Sequence, residues 1–329
     1  MRALLRRVAL RGLLMGGVGL GAAPAVLAAD APGPYPEKPV HIIVGFPAGT
    51  TGDVIARVMA VPLARLLGQQ VIVDNRPGAG SSIAAETVAH APPDGYSLLL
   101  STIANTINPS LYSLSFDFAR DLAGISLLAE SPALLAAHPA APATVRAIIA
   151  SEKAGAGRLR YASSGNGTVT HLYGELFNLA TGSRLAHVPY KGSSQAVADV
   201  VAGRVELLFS PASTVVPLVK AGKLNAVAAI GRGRIAALPD VPAMSEAGVE
   251  GFESGLWFGL NAPRATAAAI VARLNHDVAG ALSSAEVREQ LKAQSIEPAT
   301  GTPQDFERFI ARDTEKWARV VKAANVHVE

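Results

Sequence analysis

The sequence contains no cysteine. Disulfide bonds, thiolate metal ligands and cysteine nucleophiles are therefore excluded. After the first 30 residues the chain also lacks long runs of lysine and arginine, so nucleic-acid binding and membrane-surface binding have no electrostatic support. No later stretch approaches 18 uninterrupted apolar residues, which predicts a mature chain without a membrane-spanning helix.

Several catalytic and nucleotide-binding signatures are absent as well. There is no G-x-x-x-x-G-K-[ST] loop, no G-x-G-x-x-G after a strand, no G-x-S-x-G elbow and no H-E-x-x-H. His171 and Glu175 share one predicted helix face, but even with His187 they supply too few ligands at zinc spacing. We therefore expect no metal, no cofactor and no catalytic residues, with an exported hydrolase kept as a less favoured alternative.

The amino-terminal segment has the layout of a secretory leader. Four arginines and no acidic residue lie in the first 11 residues, and an apolar, glycine-rich run follows to Val26. This pattern predicts a signal peptide over residues 1–28, cleavage after Ala28 and a periplasmic mature protein. The Arg6-Arg7 pair leaves both the general secretory route and the twin-arginine route open. Removing four arginines from a chain of formal net charge +3 leaves −1.

Apolar runs alternate with helical patterns in the first third of the mature chain. Val40–Val44 is nearly continuously apolar, which is typical of a strand covered on both faces. Residues 71–73 and 97–101 predict two further strands, with helices beginning near Asp53 and Ile83 between them. This β-α-β-α-β order predicts a parallel sheet.

The second half repeats this style without repeating the sequence. Predicted strands cover residues 159–162, 185–188, 205–209, 224–230 and 257–260, and predicted helices cover residues 171–180, 194–202 and 267–282. A last helix begins after Thr302, with Pro303 in its first turn and Asp305 at the capping-box position. Its apolar stripe predicts core packing.

Two loops rich in glycine, serine and threonine each lead from a strand into a helix. The first covers residues 46–53 and the second covers residues 163–170. A helix start presents free backbone N–H groups and partial positive charge, and glycine allows a ligand to approach the backbone closely. Two such starts facing one cleft would bind an anion without lysine or arginine. Taken singly, each loop is also what an ordinary capped turn looks like. Asp53 would repel an anion, so we expect it to cap its own loop.

The ordered series of short motifs resembles the tripartite tricarboxylate transporter substrate-binding proteins, the Bug-type receptors. The motifs that carry this resemblance are Tyr35-Pro36-Glu37-Lys38-Pro39-Val40, residues 49–53, Val73 to Gly80 (VDNRPGAG), Pro93-Asp94-Gly95-Tyr96, Tyr161 to Thr168 (YASSGNGT), His187 to Gly192 (HVPYKG) and Leu238-Pro239-Asp240-Val241-Pro242. The chain departs from the pattern at Ser81, where a further glycine is usual, and at Pro62, which predicts a kink or break in the first helix.

The resemblance implies a type II periplasmic-binding-protein fold: two α/β lobes with mainly parallel sheets, joined by a two-segment hinge. Lobe 1 would comprise residues 29–131 and 255–329, and lobe 2 would comprise residues 132–254. The chain would cross between the lobes near residues 127–137 and 251–260. We expect a monomer that binds a small carboxylate and delivers it to two integral membrane transporter subunits; a receptor reporting to a membrane kinase is the alternative.

Ligand contacts are expected from both loops and from two further places. The strand end at residues 101–105 contributes because ligand sites in α/β folds gather at the carboxyl ends of strands, and Trp257 lies near a predicted crossing. The expected ligand-binding residues are Phe46, Ala48, Gly49, Thr50, Thr51, Thr102, Asn105, Ser163, Ser164, Gly165, Asn166, Gly167, Thr168, His171 and Trp257.

Overall fold

The computed structural model describes residues 35–155, 159–253 and 255–328, and the predicted leader lies outside these residues. The strands are β1 (Val40–Val44), β2 (Val71–Asn75), β3 (Ser97–Thr102), β4 (Leu122–Ser131), β5 (Ala133–Ala137), β6 (Arg160–Ser163), β7 (Ala186–Pro189), β8 (Leu207–Pro211), β9 (Asn225–Ile230), β10 (Leu256–Pro263) and β11 (Glu297–Pro298). The helices are α1 (Thr51–Leu67), α2 (Ser82–Ala89), α3 (Ile103–Ile107), α4 (Phe118–Asp121), α5 (Val145–Lys153), α6 (Val169–Thr181), α7 (Ser193–Val201), α8 (Ala212–Lys220), α9 (Ala268–Ser283), α10 (Ala285–Ala293) and α11 (Pro303–Ala323).

The strands form two sheets. The first has the order β11-β4-β10-β3-β1-β2, and the second has the order β7-β6-β8-β5-β9. Strand β1 pairs in parallel with β2 and β3, as the β-α-β-α-β pattern predicts. In the second sheet, β6 likewise pairs in parallel with β7 and β8.

Both sheets are mixed, and the parallel strands that the sequence predicts lie side by side in each of them. The strands β4, β10 and β11 of the first sheet and β5 of the second run antiparallel to their neighbours. Of these, β4 and β5 flank the first place where the chain passes from one sheet to the other, and β10 follows the second. Two neighbouring parallel strands need a crossover connection, usually a helix, between them. A strand that arrives from the other sheet has no such connection to its neighbours, so it can pair with them in the antiparallel direction.

Helices cover both faces of the first sheet. Phe258 in β10 lies next to Gly52 at the start of α1, whereas the neighbouring Gly259 packs against the ring of Phe306 in α11. Because successive residues of a strand point to opposite faces, α1 and α11 lie on opposite sides of the sheet. Helix α9 packs on α1 and β4, so it shares the side of α1.

The chain passes between the sheets twice. The first passage is Pro132, between Ser131 of β4 and Ala133 of β5, and the second lies between Ile230 of β9 and Leu256 of β10. The first sheet thus collects strands from both ends of the described chain and the second sheet collects its middle, which supports the lobe boundaries expected above. Those boundaries themselves stay a prediction.

Helix α11 contacts elements of both sheets. It packs on β4 and α3, and its far end packs on α6, where the Trp317 and Tyr173 rings meet edge to face with centroids 5.8 Å apart. Its start carries the predicted capping box between Thr302 and Asp305. The apolar stripe of α11 is core, as its spacing predicts.

Pro62 does not end the first helix. Helix α1 continues through it to Leu67 and closes with Gly68 in the left-handed conformation. Pro62 and Val58 are both half-buried, so the Val58 carbonyl that loses its hydrogen bond can reach water. Of the kink or break expected at Pro62, the break is absent. Within the described residues, none of the helices has the length and apolarity needed to cross a membrane.

Candidate functional site

A cavity of about 470 Å³ lies where the two sheets meet. Residues from the part of the chain that forms the first sheet line it: Phe46, Thr50, Thr51, Gly52, Gly80, Thr102, Ile103, Ala104, Ile107, Asn108, Tyr112, Leu256, Trp257 and Phe258. Residues from the part that forms the second sheet complete it: Ser164, Asn166, Gly167, Thr168, Val169, Ser193 and Pro211. The starts of α1, α3 and α6 all follow the carboxyl ends of parallel strands, which is where α/β folds place ligands.

The first loop ends in a helix start that no side chain caps. Thr50 occupies the N-cap position of α1, but its hydroxyl donates back to the carbonyl of Pro47 at 2.8 Å. The first N–H groups of an α-helix have no partner within the helix. The start of α1 therefore keeps its donors and its partial positive charge directed at the cavity wall formed by Thr51 and Gly52.

Asp53 supports this loop from below, as expected. Its buried carboxylate accepts the Gly49 N–H at 2.9 Å, the Asn75 amide at 2.9 Å and the Arg57 guanidinium. Burial alone raises the pKa of Asp53, but the hydrogen bonds from Arg57, Gly49 and Asn75 outweigh it and lower the pKa from 3.8 to about 2. Asp53 is thus ionised and paired, so its charge is compensated by Arg57 before an anion arrives.

The second loop is held by hydrogen bonds within itself. Ser163 Oγ accepts the Gly165 N–H at 3.1 Å, and Thr170 Oγ1 accepts the Ser164 N–H at 3.0 Å. Thr168 caps α6, and its own N–H reaches the Gly165 carbonyl. These bonds fix the loop that forms the opposite wall of the cavity.

Two histidines lie directly behind the second loop. His171 Nδ1 accepts the Gly167 N–H at 3.1 Å, and the His171 ring stacks on His187. Burial lowers the pKa of His171 to about 4, and burial followed by repulsion from His171 lowers the pKa of His187 to about 3. Both rings are therefore neutral at neutral pH, which His171 must be to accept a hydrogen bond at Nδ1.

Tyr161 completes this stack from the floor of the second sheet. Its ring lies on His187 with centroids 5.0 Å apart, and its hydroxyl donates to Glu175 Oε1 at 2.6 Å. A β-carbon on Gly174 would overlap the Tyr161 ring, so this close approach to α6 requires glycine there. The cluster positions the second loop without reaching the cavity itself.

The structure brings nine of the fifteen expected ligand-binding residues to the cavity wall. These are Phe46, Thr50, Thr51, Thr102, Ser164, Asn166, Gly167, Thr168 and Trp257. The other six lie in or behind the same elements: Ala48 and Gly49 are exposed in the first loop, Ser163 is buried beneath the second, Gly165 forms its turn, His171 holds it, and Asn105 closes a capping box with Thr102. Whether the wall residues contact ligand stays a prediction.

Trp257 meets the cavity with its ring rather than with its N–H group. The residue is fully buried, and its indole N–H donates to Asp313 Oδ2 at 2.9 Å. Phe306 and Phe309 contact the ring edge to face. Trp257 thus offers apolar surface, and its hydrogen-bonding capacity is already used.

Sequence reasoning missed most of the apolar wall. Ile103 and Ile107 lie on α3 directly after β3, and Pro211 ends β8. The rule that ligands gather at the carboxyl ends of strands could have extended the expectation from Thr102 to this segment. Tyr112 and Phe258 also line the cavity.

The described residues contain no group of three or more histidine, cysteine, aspartate and glutamate side chains arranged to hold a metal ion. Ser163 Oγ and His187 Nε2 lie 2.6 Å apart, which is the spacing of a nucleophile and its base. Ser163 is completely buried, however, and does not line the cavity. A substrate in the cavity would not meet this hydroxyl.

Comparison with known proteins agrees with this architecture. BugT of Bordetella pertussis is 36% identical over 292 residues, covering 88% of this chain and 90% of that protein. The R. palustris protein Rpa4515, solved with adipate, superimposes with a TM-score of 0.75 at 34% identity, covering 89% of this chain and 99% of that one. MatC (Rpa3494) from Rhodopseudomonas palustris, solved with bound malate, gives a TM-score of 0.72 at 30% identity, covering 87% and 100%.

The model of the tripartite tricarboxylate transporter family receptor matches residues 55–326, which include most of α1, the second loop and most of both sheets. This chain therefore belongs to the tripartite tricarboxylate transporter family of receptors.

Proposed function

We infer that this receptor captures a small carboxylate between the start of α1 and the loop before α6. The observation that carries this proposal is the single cavity lined by both helix starts, each from a different sheet. The adipate-bound and malate-bound structures of relatives support a carboxylate as the ligand. A small acid would be held by backbone N–H groups and hydroxyls, as is usual for anions at helix starts.

The order of steps in ligand capture follows from the two sides of the cavity, the start of α1 and the second loop. A carboxylate at Thr51 and Gly52 gains from the uncapped N–H groups and the partial charge of α1. Approach of the second loop then removes water, and hydrogen bonds strengthen as the local dielectric falls. Ligand binding favours the closed form only to the extent that the closed form binds it more tightly.

The proposal also covers the location of the protein, its partners and the absence of chemical turnover. The protein would be exported to the periplasm by the leader at residues 1–28 and would deliver its ligand to two integral membrane subunits. It would act without chemical turnover, which the burial of Ser163 supports because the one serine hydroxyl paired closely with a histidine at this loop is sealed from the cavity.

Two charge variants test the capture site. Thr51→Glu adds a negative charge at the first position of α1, where it stabilises the helix but repels a bound carboxylate. Asn166→Asp adds a negative charge to the second loop, where it would also repel a bound carboxylate. Ala268→Glu is the matched control, because it adds the same acid to the first position of the exposed start of α9.

Native mass spectrometry of the purified receptor would identify a co-purified acid, and calorimetry would measure its affinity in each variant. We expect Thr51→Glu and Asn166→Asp to weaken binding at least about tenfold without loss of thermal stability, and Ala268→Glu to leave affinity unchanged. Unaltered affinity in both site variants would exclude this cavity as the capture site.

A further inference from the structure

The chemistry of the cavity wall restricts the class of carboxylate that the cavity can bind. Much of the wall is apolar, from Ile103, Ile107, Val169, Pro211, Leu256 and Phe258, and the polar residues outside the two loops, Thr102, Asn108, Tyr112 and Ser193, are all uncharged. These come from both halves of the cleft, so a ligand spanning the gap would be enclosed by them. A volume of about 470 Å³ is within the range for ligands of drug size. An acid as small as malate would leave much of this apolar wall against water.

The described lining residues include no lysine, arginine or histidine. A ligand with two or three carboxylates brings a corresponding number of charges into the cleft. Each of them loses its hydration on closure, and an unpaired buried charge costs far more than burial of a few carbon atoms gains. A polyacid would therefore need a strong donor set at each of its ends.

The hydrogen bonds of the two loops are unequal in this respect. At the first loop the hydroxyl of Thr50 turns away from α1, which leaves the helix start open to the ligand. At the second loop the N–H groups of Ser164, Gly165 and Thr168 are taken by bonds inside the loop, and that of Gly167 is taken by His171. The hydroxyls of Ser164 and Thr168 are likewise bonded inside the loop, to Thr170 Oγ1 and to the Gly165 carbonyl. The second loop thus contributes only neutral residues to the cavity wall, Asn166 among them.

We propose that the ligand of this receptor is a carboxylate with a single anionic end and an apolar body, such as an aromatic or medium-chain monocarboxylate. Its carboxylate binds at the start of α1, its body lies against the apolar wall, and its far end meets the neutral groups of the second loop. This assignment rests on the proposed function, since it takes the same cavity as the capture site and specifies what fills it.

Matched pairs of acids test this directly. Hexanoate and adipate share a six-carbon chain and differ by one carboxylate, and 4-methylbenzoate and terephthalate share one ring and differ in the same way. Calorimetry on the purified receptor should give the monoacid of each pair at least about tenfold tighter binding than its diacid, with malate and citrate weaker still.

The outcomes separate this inference from the proposed function. Tighter binding of adipate, terephthalate, malate or citrate would overturn the single-anion assignment while leaving carboxylate capture intact. If no acid binds saturably, the proposed function fails and this inference fails with it. Tight binding of monoacids that Thr51→Glu does not weaken would support the ligand class but exclude the start of α1 as its anchor.

A nearly isosteric variant tests the apolar wall itself. Val169→Thr exchanges a methyl group for a hydroxyl at the first position of α6 on the cavity wall. We expect it to weaken 4-methylbenzoate binding roughly three- to tenfold because it removes apolar contact area. Val61→Thr makes the same change on the exposed side of α1 and serves as the control. Equal affinity in Val169→Thr and Val61→Thr would contradict burial of the ligand body against this wall.

Discussion

His171 and His187 stack face to face behind the second loop, with ring centroids 3.8 Å apart and planes 6° apart. Two imidazolium ions could not hold this arrangement, because their charges would repel at short range inside a partly buried site. At least one ring must therefore be neutral, and the lowered pKa values of about 4 and about 3 make both rings neutral at neutral pH. The groups facing the pair are Glu175, Tyr161 and Ser163, of which Glu175 lies 3.9 Å from His171 Nε2.

This stack makes stability depend on pH in a defined direction. An unfolded histidine binds a proton below about pH 6.5, whereas these folded histidines do not until about pH 4 or lower. The unfolded state thus binds more protons, and the free energy of unfolding should fall by up to about 2 kcal/mol per pH unit between pH 6 and pH 4.5. Urea unfolding at stepped pH measures this slope.

His187→Gln should halve that slope, because one of the two titrating rings is gone. His90→Gln is the control, since His90 is exposed after α2 and far along the chain from the stack. A wild-type free energy of unfolding that stays level from pH 6.5 to pH 4.5 would contradict neutral burial of the pair.

The local patterns of this chain were readable because they depend on near neighbours. Val40–Val44 forms a strand at the predicted bounds, since a short apolar run between Pro39 and Gly45 has few other stable uses. The capping box at Thr302 and Asp305 likewise formed where its spacing predicts it. The two loops were predicted for the same reason: glycine, serine and threonine before a helix favour the turn and capping conformations found there.

The features that sequence reasoning missed depend on contacts between residues that are far apart in the sequence. The passage expected near residues 127–137 takes the form of Pro132 alone, and the buried strands β4 and β5 on its two sides were not predicted. Their antiparallel pairing with β10 and β8 depends on strands that are distant in sequence, which periodicity does not encode. The apolar wall around Ile107 and Pro211 was missed for a similar reason, because these residues meet only through the fold.

Asp53→Asn should cost about 2 kcal/mol of stability at neutral pH. The carboxylate pKa is lowered from 3.8 to about 2, and each pKa unit corresponds to about 1.4 kcal/mol of preferential stabilisation of the ionised form. Because the folded pKa is lowered, this contribution is complete above about pH 4 and is lost as pH falls toward 2. Chemical denaturation at pH 7 and pH 3 measures both effects.

The same variant should weaken ligand binding, since the amide cannot hold the Gly49 N–H and Arg57 as the carboxylate does. Asp277→Asn provides the matched control: it breaks another buried aspartate–arginine pair four residues apart, with Arg273, away from the cavity. A loss of affinity in Asp277→Asn equal to that in Asp53→Asn would mean that general destabilisation, not loop geometry, weakens binding.

Ser81→Gly should stabilise the protein by about 0.5–1 kcal/mol. Ser81 has a φ of 76°, in the left-handed region that costs a residue with a β-carbon roughly 1–2 kcal/mol. Its buried hydroxyl has no hydrogen-bond partner among the described residues. The extra flexibility of glycine in the unfolded chain offsets part of this gain. Thermal unfolding of the variant should show a raised midpoint.

The neighbouring Ser82→Gly should act in the opposite direction. Ser82 has helical backbone angles, and its hydroxyl accepts the Asn108 amide at 2.8 Å. Glycine there loses the bond and gains no relief of strain, so we expect a loss of about 1–2 kcal/mol. Stabilisation by both variants, or by neither, would contradict backbone strain at Ser81.

Alanine substitutions at Gly49 and Gly167 should separate the effect of backbone strain from the effect of steric overlap with neighbouring side chains. Gly49 and Gly167 both have positive φ, 82° and 72°, so each alanine variant carries about 1–2 kcal/mol of strain. A β-carbon on Gly49 would meet nothing within 4 Å, whereas one on Gly167 would lie 2.7 Å from Val328 Cγ1 and 2.9 Å from Leu111 Cδ1. Overpacking of this kind typically adds about 1–3 kcal/mol.

Gly167→Ala should therefore lower the free energy of unfolding by about 1–3 kcal/mol more than Gly49→Ala does. It should also lower ligand affinity more, because the second loop must shift away from the residues that hold it beside the cavity. Calorimetry and urea unfolding on the two variants measure both quantities. Equal destabilisation with equal affinity would show that Val328 and Leu111 give way freely, and that the second loop is positioned by its own hydrogen bonds and by His171 alone.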